Sequence, residues 1–122
     1  MEGLIMGYES KVYIVDKTAA LNEEKCYAQV IAMFDLCKME NFYKIFKKDT
    51  DCFIYADDGE TEIVKDCYDS PIKEASINDV IDYLEDFKNT QEYYRRINPL
   101  LQMLKGFNPA DWRNLAVLHY GH

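Results

Sequence analysis

The sequence has no apolar run near the roughly 20 residues that a membrane-spanning helix requires. Its first residues, "MEGLIMGYES", lack the basic region and the long apolar core of a signal peptide. Bases are also scarce, with 14 Lys and Arg residues against 22 Asp and Glu residues. Nucleic acids and anionic membranes both reward clustered bases. We therefore expect a cytoplasmic protein that binds neither a membrane nor nucleic acid directly.

The short motifs that most often mark chemistry are missing as well. None of the five glycines has the spacing of a phosphate-binding loop, and the four cysteines contain no C-x-x-C pair. The two histidines, His119 and His122, stand at an end of the chain that we expect to fray. No Ser or Cys has the local signature of an activated nucleophile. We expect four reduced, mostly buried thiols, no metal, no cofactor and no enzymatic activity.

The chain does contain enough apolar material for one folded domain. Of its 122 residues 48% are hydrophobic, and the aromatic residues comprise ten Tyr, six Phe and one Trp. This length fits a single compact core, and no Gly-, Ser- or Pro-rich linker divides it. We expect one domain over residues 1–122, with residues 1–6 as a loose N-terminal extension.

Hydrophobic patterning predicts strands at both ends of the chain. A run of β-branched and aromatic residues predicts a strand over 10–16. Apolar residues at every second position predict another over 27–36, where a helix is the alternative. Three apolar residues at helical spacing predict a short helix over 40–48. The ending "LAVLHYGH" predicts a last strand in the sheet.

Capping signals predict the remaining helices. Ser76 is the expected N-cap of the clearest one, which continues with apolar residues at helical spacing. Asn98-Pro99 and Asn108-Pro109 repeat one device, an Asn N-cap followed by Pro at the first helical position. Together the patterns predict an α+β fold, a small antiparallel sheet of about five strands with three to four helices packed on one face.

The string Tyr55-Ala56-Asp57-Asp58 resembles the metal-binding motif of reverse transcriptases. Two-metal phosphoryl transfer needs carboxylates from more than one element, and consecutive residues of a strand point to opposite faces. Asp-Gly between β-rich runs is instead a strong hairpin signal, because Gly and Asp tolerate positive φ. We interpret the stretch as strand, turn, strand. The alternative is a small metal-dependent phosphotransfer or hydrolytic enzyme that uses Asp57 and Asp58.

Acidic residues are concentrated in the middle of the chain. Residues 49–92 hold 14 of the 22 acids but only three lysines, a net charge of −11. Such a segment favours a basic protein surface as partner, with acids of the hairpin and of the Ser76 helix imitating the spacing of phosphates. A solvated acidic face is the alternative interpretation. The candidate partner-binding residues are Asp57, Asp58, Glu60, Glu62, Asp79, Asp82, Asp86 and Tyr93.

The stretches "GYESKVYIV", "TDCFIYADDG", "GFNPADW" and "LHYGH" resemble small uncharacterised proteins carried by phages and prophages of Gram-positive bacteria. The resemblance implies a context and assigns no activity to any residue. Many compact acidic phage proteins inhibit host defence, among them anti-CRISPR proteins that occupy nucleic-acid channels.

The leading hypothesis is therefore a non-enzymatic acidic protein-binding module. With the resemblance, it becomes a phage-encoded inhibitor that acts on a host nucleic-acid-binding or defence protein by electrostatic mimicry. A self-associating structural module, a homodimer formed through a sheet edge and tyrosines, is a further alternative.

Overall fold

The computed structural model describes residues 10–17, 26–36, 42–50, 52–55, 58–65, 70–87 and 94–121. The predicted loose extension, residues 1–6, lies outside these ranges. The strands are β1 (Ser10–Asp16), β2 (Cys26–Tyr27), β3 (Gln29–Asp35), β4 (Lys48–Asp49), β5 (Cys52–Tyr55), β6 (Glu62–Ile63), β7 (Lys73–Ala75) and β8 (Leu115–Gly121). The helices are a first 3-10 helix (Phe42–Ile45), α1 (Ile77–Phe87), α2 (Tyr94–Gly106) and a second 3-10 helix (Pro109–Asn114).

Five of the strands form the main sheet, in the order β3-β1-β8-β7-β4, and every neighbouring pair is antiparallel. The predicted α+β class and five-stranded antiparallel sheet are confirmed. The first and last strands pair in its middle, from Ser10 opposite Gly121 to Asp16 opposite Leu115. The strand interpretation of residues 27–36, for which a helix was the alternative, is also confirmed, since β3 pairs with β1 along its length. A second, three-stranded sheet has the order β2-β5-β6.

The main sheet carries a hydrophobic core on each face, because alternate residues of its strands point to opposite sides. On one face, Val12 and Val117 pack with buried residues of α1, α2 and the first 3-10 helix. On the other face, Val15 and Leu118 pack with residues of β5, among them Ile54. The domain therefore has three layers, with helices on one side of the main sheet and the small sheet on the other.

Helix α1 begins where the sequence predicts. The Ser76 hydroxyl oxygen accepts a hydrogen bond of 3.1 Å from the backbone N–H of Asp79, the arrangement expected of an N-cap. Ile77, Val80 and Leu84 are fully buried against the sheet. The opposite face of α1 is consequently left to the polar residues.

Of the two Asn-Pro pairs, only the second caps a helix. Helix α2 already begins at Tyr94, so Asn98 and Pro99 lie inside it and the predicted cap there is wrong. Proline removes one backbone donor from a helix interior, but four residues of α2 are buried on one face and hold it in place: Ile97, Leu100, Leu101 and Leu104. At the second pair, the Asn108 side chain accepts a hydrogen bond of 3.0 Å from the N–H of Ala110.

The helix predicted over 40–48 is shorter than expected. It is reduced to one turn of 3-10 helix, Phe42–Ile45, because the chain joins the edge of the main sheet at Lys48. Phe42 and Phe46 are buried there with His119, which is only 5% exposed. His119 lies 5.9 Å from Phe42 and 5.0 Å from Phe46 between ring centroids. The expected fraying is therefore wrong for His119, which belongs to the core.

Cys52 differs from the expected reduced thiol. Its side chain is 4% exposed, as predicted for a buried cysteine, but it is disulfide-bonded. Disulfides are uncommon in reducing compartments such as the cytoplasm. The disulfide therefore does not support the predicted cytoplasmic location, which stays a prediction. Among the described helices, none combines the length and the apolar character needed to cross a bilayer.

Candidate functional site

The three candidate acids of α1 lie together on its exposed face. Residues three, four and seven positions apart on an α-helix share one side, which is the spacing of Asp79, Asp82 and Asp86. They border a groove of about 330 Å³ between α1 and the first 3-10 helix. Its lining residues are Ile45, Lys47, Asp79, Asp82, Tyr83 and Asp86. We call this the acidic groove.

The three carboxylates of the acidic groove outnumber the base that lines it with them, Lys47. None of the three forms an ion pair with a residue in the part of the chain that the structure describes. Asp82 accepts only a long hydrogen bond of 3.5 Å from the side-chain amide of Asn78. Because Asp82 and Asp86 stand four residues apart, they repel each other along the helix. Their negative charge is available to a partner.

Asp58 of the hairpin has a different role, because its carboxylate closes the loop between β5 and β6. It accepts hydrogen bonds from the hydroxyl of Thr61 at 2.6 Å and from the N–H groups of Glu60 and Thr61 at 2.8 and 2.9 Å. The hydroxyl contact, followed by the two backbone contacts, lowers the pKa of Asp58 from 3.8 to about 2. Gly59 adopts the positive φ of 73° that the hairpin signal anticipated.

These contacts confirm the turn interpretation for Asp58. The described ranges contain no group of three or more His, Cys, Asp or Glu side chains placed to hold a metal ion. Asp57, the other member of the alternative metal pair, lies outside the described residues, as does Tyr93. Calorimetric titration with Mg²⁺ or Mn²⁺ remains the direct test of that alternative.

The hairpin acids and the α1 acids do not form one surface. The hairpin packs through Ile54 and Ile63 on one face of the main sheet, and α1 covers the other. Glu60 and Glu62 are exposed on the hairpin. The structure brings together Asp79, Asp82 and Asp86, and it separates them from Asp58, Glu60 and Glu62.

A second groove, which sequence reasoning missed, adjoins the first where β7 leads into α1. It has a volume of about 380 Å³, and its polar lining residues are Lys47, Lys48, Glu74, Ser76, Asp79, Trp112 and Arg113. We call it the Trp112 groove. These residues come from separate segments, so no local motif could reveal it. The one available signal was that the chain outside residues 49–92 has more bases than acids.

The outer edge of β3 is a third exposed feature. Six successive residues, 29–34, carry no charge. Three of its large apolar side chains are unusually exposed: Val30 by 38%, Ile31 by 42% and Met33 by 49%. The opposite edge strand, β4, has only two residues, and both are charged. The two edges of the main sheet therefore differ in their capacity to pair with another strand.

Comparisons of the chain with protein-family models, with curated proteins and with solved structures found no match. They add no support to the resemblance to phage proteins. The surface features that bear on function are the two grooves and the β3 edge.

Proposed function

We propose that this chain is a non-enzymatic acidic module that binds a basic protein surface through Asp79, Asp82 and Asp86. The observation that carries the proposal is that three carboxylates, none in an ion pair with a described residue, line one groove on the exposed side of α1 with a single lysine. The resemblance to phage proteins suggests an inhibitor of a host nucleic-acid-binding or defence protein, acting in the cytoplasm.

The spacing of the acids on α1 fits simple electrostatic attraction of a basic surface better than it fits imitation of the phosphate spacing in DNA. A rise of 1.5 Å per residue separates Asp79 from Asp82 by about 4.5 Å, and Asp82 from Asp86 by about 6 Å, along the helix axis. One strand of B-DNA carries a charge about every 3.4 Å. The charges on α1 are therefore more widely spaced than the phosphates of a DNA strand. A partner would bind them with Lys and Arg side chains whose positions match the groove.

Tyr83 gives the acidic groove a preference among cations. Its side chain lines the groove beside the carboxylates. Arg guanidinium groups pair with carboxylates in a planar fork and also stack on aromatic rings. An Arg-rich surface is accordingly the partner chemistry that fits best.

Affinity capture from a bacterial lysate, in low and high salt, tests this proposal. Proteins retained at low salt and released at high salt are identified by mass spectrometry, and the purified partner is then titrated by calorimetry. The variant Asp79→Asn, Asp82→Asn, Asp86→Asn should weaken binding by at least about tenfold, as expected when close charge pairs are lost.

The matched control replaces three acids on other elements, Glu60→Gln, Glu62→Gln and Asp111→Asn, and changes the net charge equally. It should keep most of the affinity. Equal loss in both triple variants would mean that the partner senses net charge and no particular face. Capture of no basic protein would overturn the proposal.

Self-association through the β3 edge is the second candidate function, supported by the exposed side chains of Val30, Ile31 and Met33. An edge strand offers unpaired backbone donors and acceptors to another chain. However, the pairing of β3 with β1 shifts between Ile14 and Val15, and such bulges bend an edge and discourage further pairing. We therefore rank it second. Sedimentation equilibrium showing a monomer at millimolar concentration would end it, and a dimer dispersed by Met33→Lys would support it.

A further inference from the structure

We propose that the Trp112 groove is a binding site for a small anionic ligand that carries phosphate or carboxylate oxygens. Lys47, Arg113 and the indole N–H of Trp112 would be its donors. The Trp112 groove shares Ile45, Lys47 and Asp79 with the acidic groove. The inference nevertheless does not depend on the proposed function, because the ligand has the opposite charge and Asp82 and Asp86 do not line the Trp112 groove.

The charged residues inside the groove are unequally paired. Glu74, whose side chain is 11% exposed, already accepts hydrogen bonds from Lys17 at 3.1 Å on Oε1 and at 3.3 Å on Oε2, and Oε2 also lies 3.8 Å from Lys48. Lys47 and Arg113 form no ion pair with any residue in the described ranges. With Asp79 also in the lining, the three bases Lys47, Lys48 and Arg113 exceed the two acids of the groove by one. In a chain of net charge −8, this local excess of positive charge favours an incoming anion.

The indole nitrogen of Trp112 is an unsatisfied hydrogen-bond donor. Its Nε1 is buried and has no hydrogen-bond partner among the described residues. Buried polar groups nearly always have a partner, because an unsatisfied donor loses the hydrogen bonds that water gave it. Trp112 is one of the residues that line the groove, so a ligand oxygen that approaches the nitrogen edge of its indole ring would supply the missing bond.

The size of the groove suits a small molecule. A volume of about 380 Å³ lies near the lower end of the range of small-molecule sites, about 300–1,000 Å³. Ile45 and Leu115 add apolar contacts to the lining. The groove thus has the usual composition of such a site, an apolar wall with a few polar groups. A phosphorylated or carboxylated metabolite is the class of ligand that fits.

The single tryptophan makes the test direct, since Trp112 is the only one in the chain. The full chain is titrated with inorganic phosphate and, separately, with citrate, in chloride buffers of matched ionic strength. Tryptophan emission and the indole N–H cross-peak in a ¹⁵N spectrum report occupancy. We expect a saturable response of both signals. A response to phosphate alone identifies a phosphate site, and a response to citrate alone a carboxylate site.

Paired variants locate the response. Lys47→Gln with Arg113→Gln should weaken binding at least about tenfold, because charge-assisted hydrogen bonds are lost. The control, Lys44→Gln with Lys65→Gln, changes the net charge equally at exposed positions outside the groove and should bind as the wild type does. No saturable response to either anion, or equal weakening by control and test variants, would overturn the proposal. Asp82→Asn with Asp86→Asn should leave anion binding intact, so the two proposals fail independently.

Discussion

The hydroxyl of Thr61 donates a hydrogen bond of 2.6 Å to Oδ2 of Asp58. This contact is the largest cause of the lowered pKa of Asp58, about 2. Replacing Thr61 by Val removes the hydroxyl and keeps the shape of the side chain, so the pKa of Asp58 should rise toward 3.8. Carboxyl titration by NMR measures it. Thr61→Ser, which keeps the donor, should leave the pKa near 2, and equal pKa values in the two variants would contradict this account.

The same contact fixes the sign of a pH dependence. Because the pKa of Asp58 is lower in the folded than in the unfolded chain, its ionised form stabilises the fold above pH 3.8. This stabilisation is lost as the pH falls from about 3.8 toward 2. The difference in the free energy of unfolding between wild type and Thr61→Val should therefore shrink over that window. Urea titrations at pH 6 and near pH 2 check it, and a difference that stays constant would disagree.

The two Asn-Pro pairs provide an internally controlled prediction. Asn108 caps a helix and Asn98 lies inside one. Loss of an N-cap lowers the free energy of unfolding by about 0.5–2 kcal/mol, so Asn108→Ala should be destabilising by that amount. Asn98→Ala loses only an exposed hydrogen bond of 3.4 Å with Gln102 and should be nearly neutral. Chemical denaturation of both variants measures the difference, and equal effects would contradict the assignment of the cap.

Caps and short residue patterns in the sequence located those elements whose ends depend on neighbouring residues in the chain. Ser76 caps α1 through its own hydroxyl, and β1 is rich in the β-branched and aromatic residues that are enriched in strands. Asn98-Pro99 failed for the opposite reason. The helix there is extended backwards by long-range packing of α2 against α1 and the sheet, and no cap preference could reveal that.

The candidate site was predictable only in part, for a similar reason. Helical periodicity placed Asp79, Asp82 and Asp86 on one face. The layers that separate them from Glu60 and Glu62 follow from the topology of two sheets, which strand patterns do not specify. The Trp112 groove depends on pairing between residues far apart in the chain, such as Lys17 with Glu74. Sequence charge alone could not show which bases remain uncompensated.

Phe42 holds together the core beneath the acidic groove, and its loss should be severe. Its ring lies 5.1 Å from Phe46, 5.3 Å from Tyr83 and 5.9 Å from His119 between centroids, and it is 1% exposed. Truncation of a buried Phe leaves a cavity and lowers stability by about 3–5 kcal/mol, so Phe42→Ala should do the same. Phe42→Leu fills most of the space and should lose less. Urea denaturation measures both, and a loss under about 1 kcal/mol for Phe42→Ala would contradict the packing.

The placement of acids along α1 gives a prediction that links stability with function. Asp79 lies in the first turn, where the helix dipole favours a negative charge, whereas Asp86 is one residue from the C-terminal end, where the dipole opposes it.

Asp79→Asn should therefore lower the free energy of unfolding by about 0.3–1 kcal/mol, and Asp86→Asn should raise it by a similar amount at low salt. Thermal or urea denaturation in low and high salt measures the pair, and both effects should shrink as salt screens the charges. Asp86 would then weaken its own helix while lining the acidic groove. Selection for binding would retain such a residue, because functional surfaces keep features that selection for stability alone would remove. If Asp86→Asn proves destabilising, Asp86 serves the fold, and the case for a binding face would rest on Asp79 and Asp82 alone.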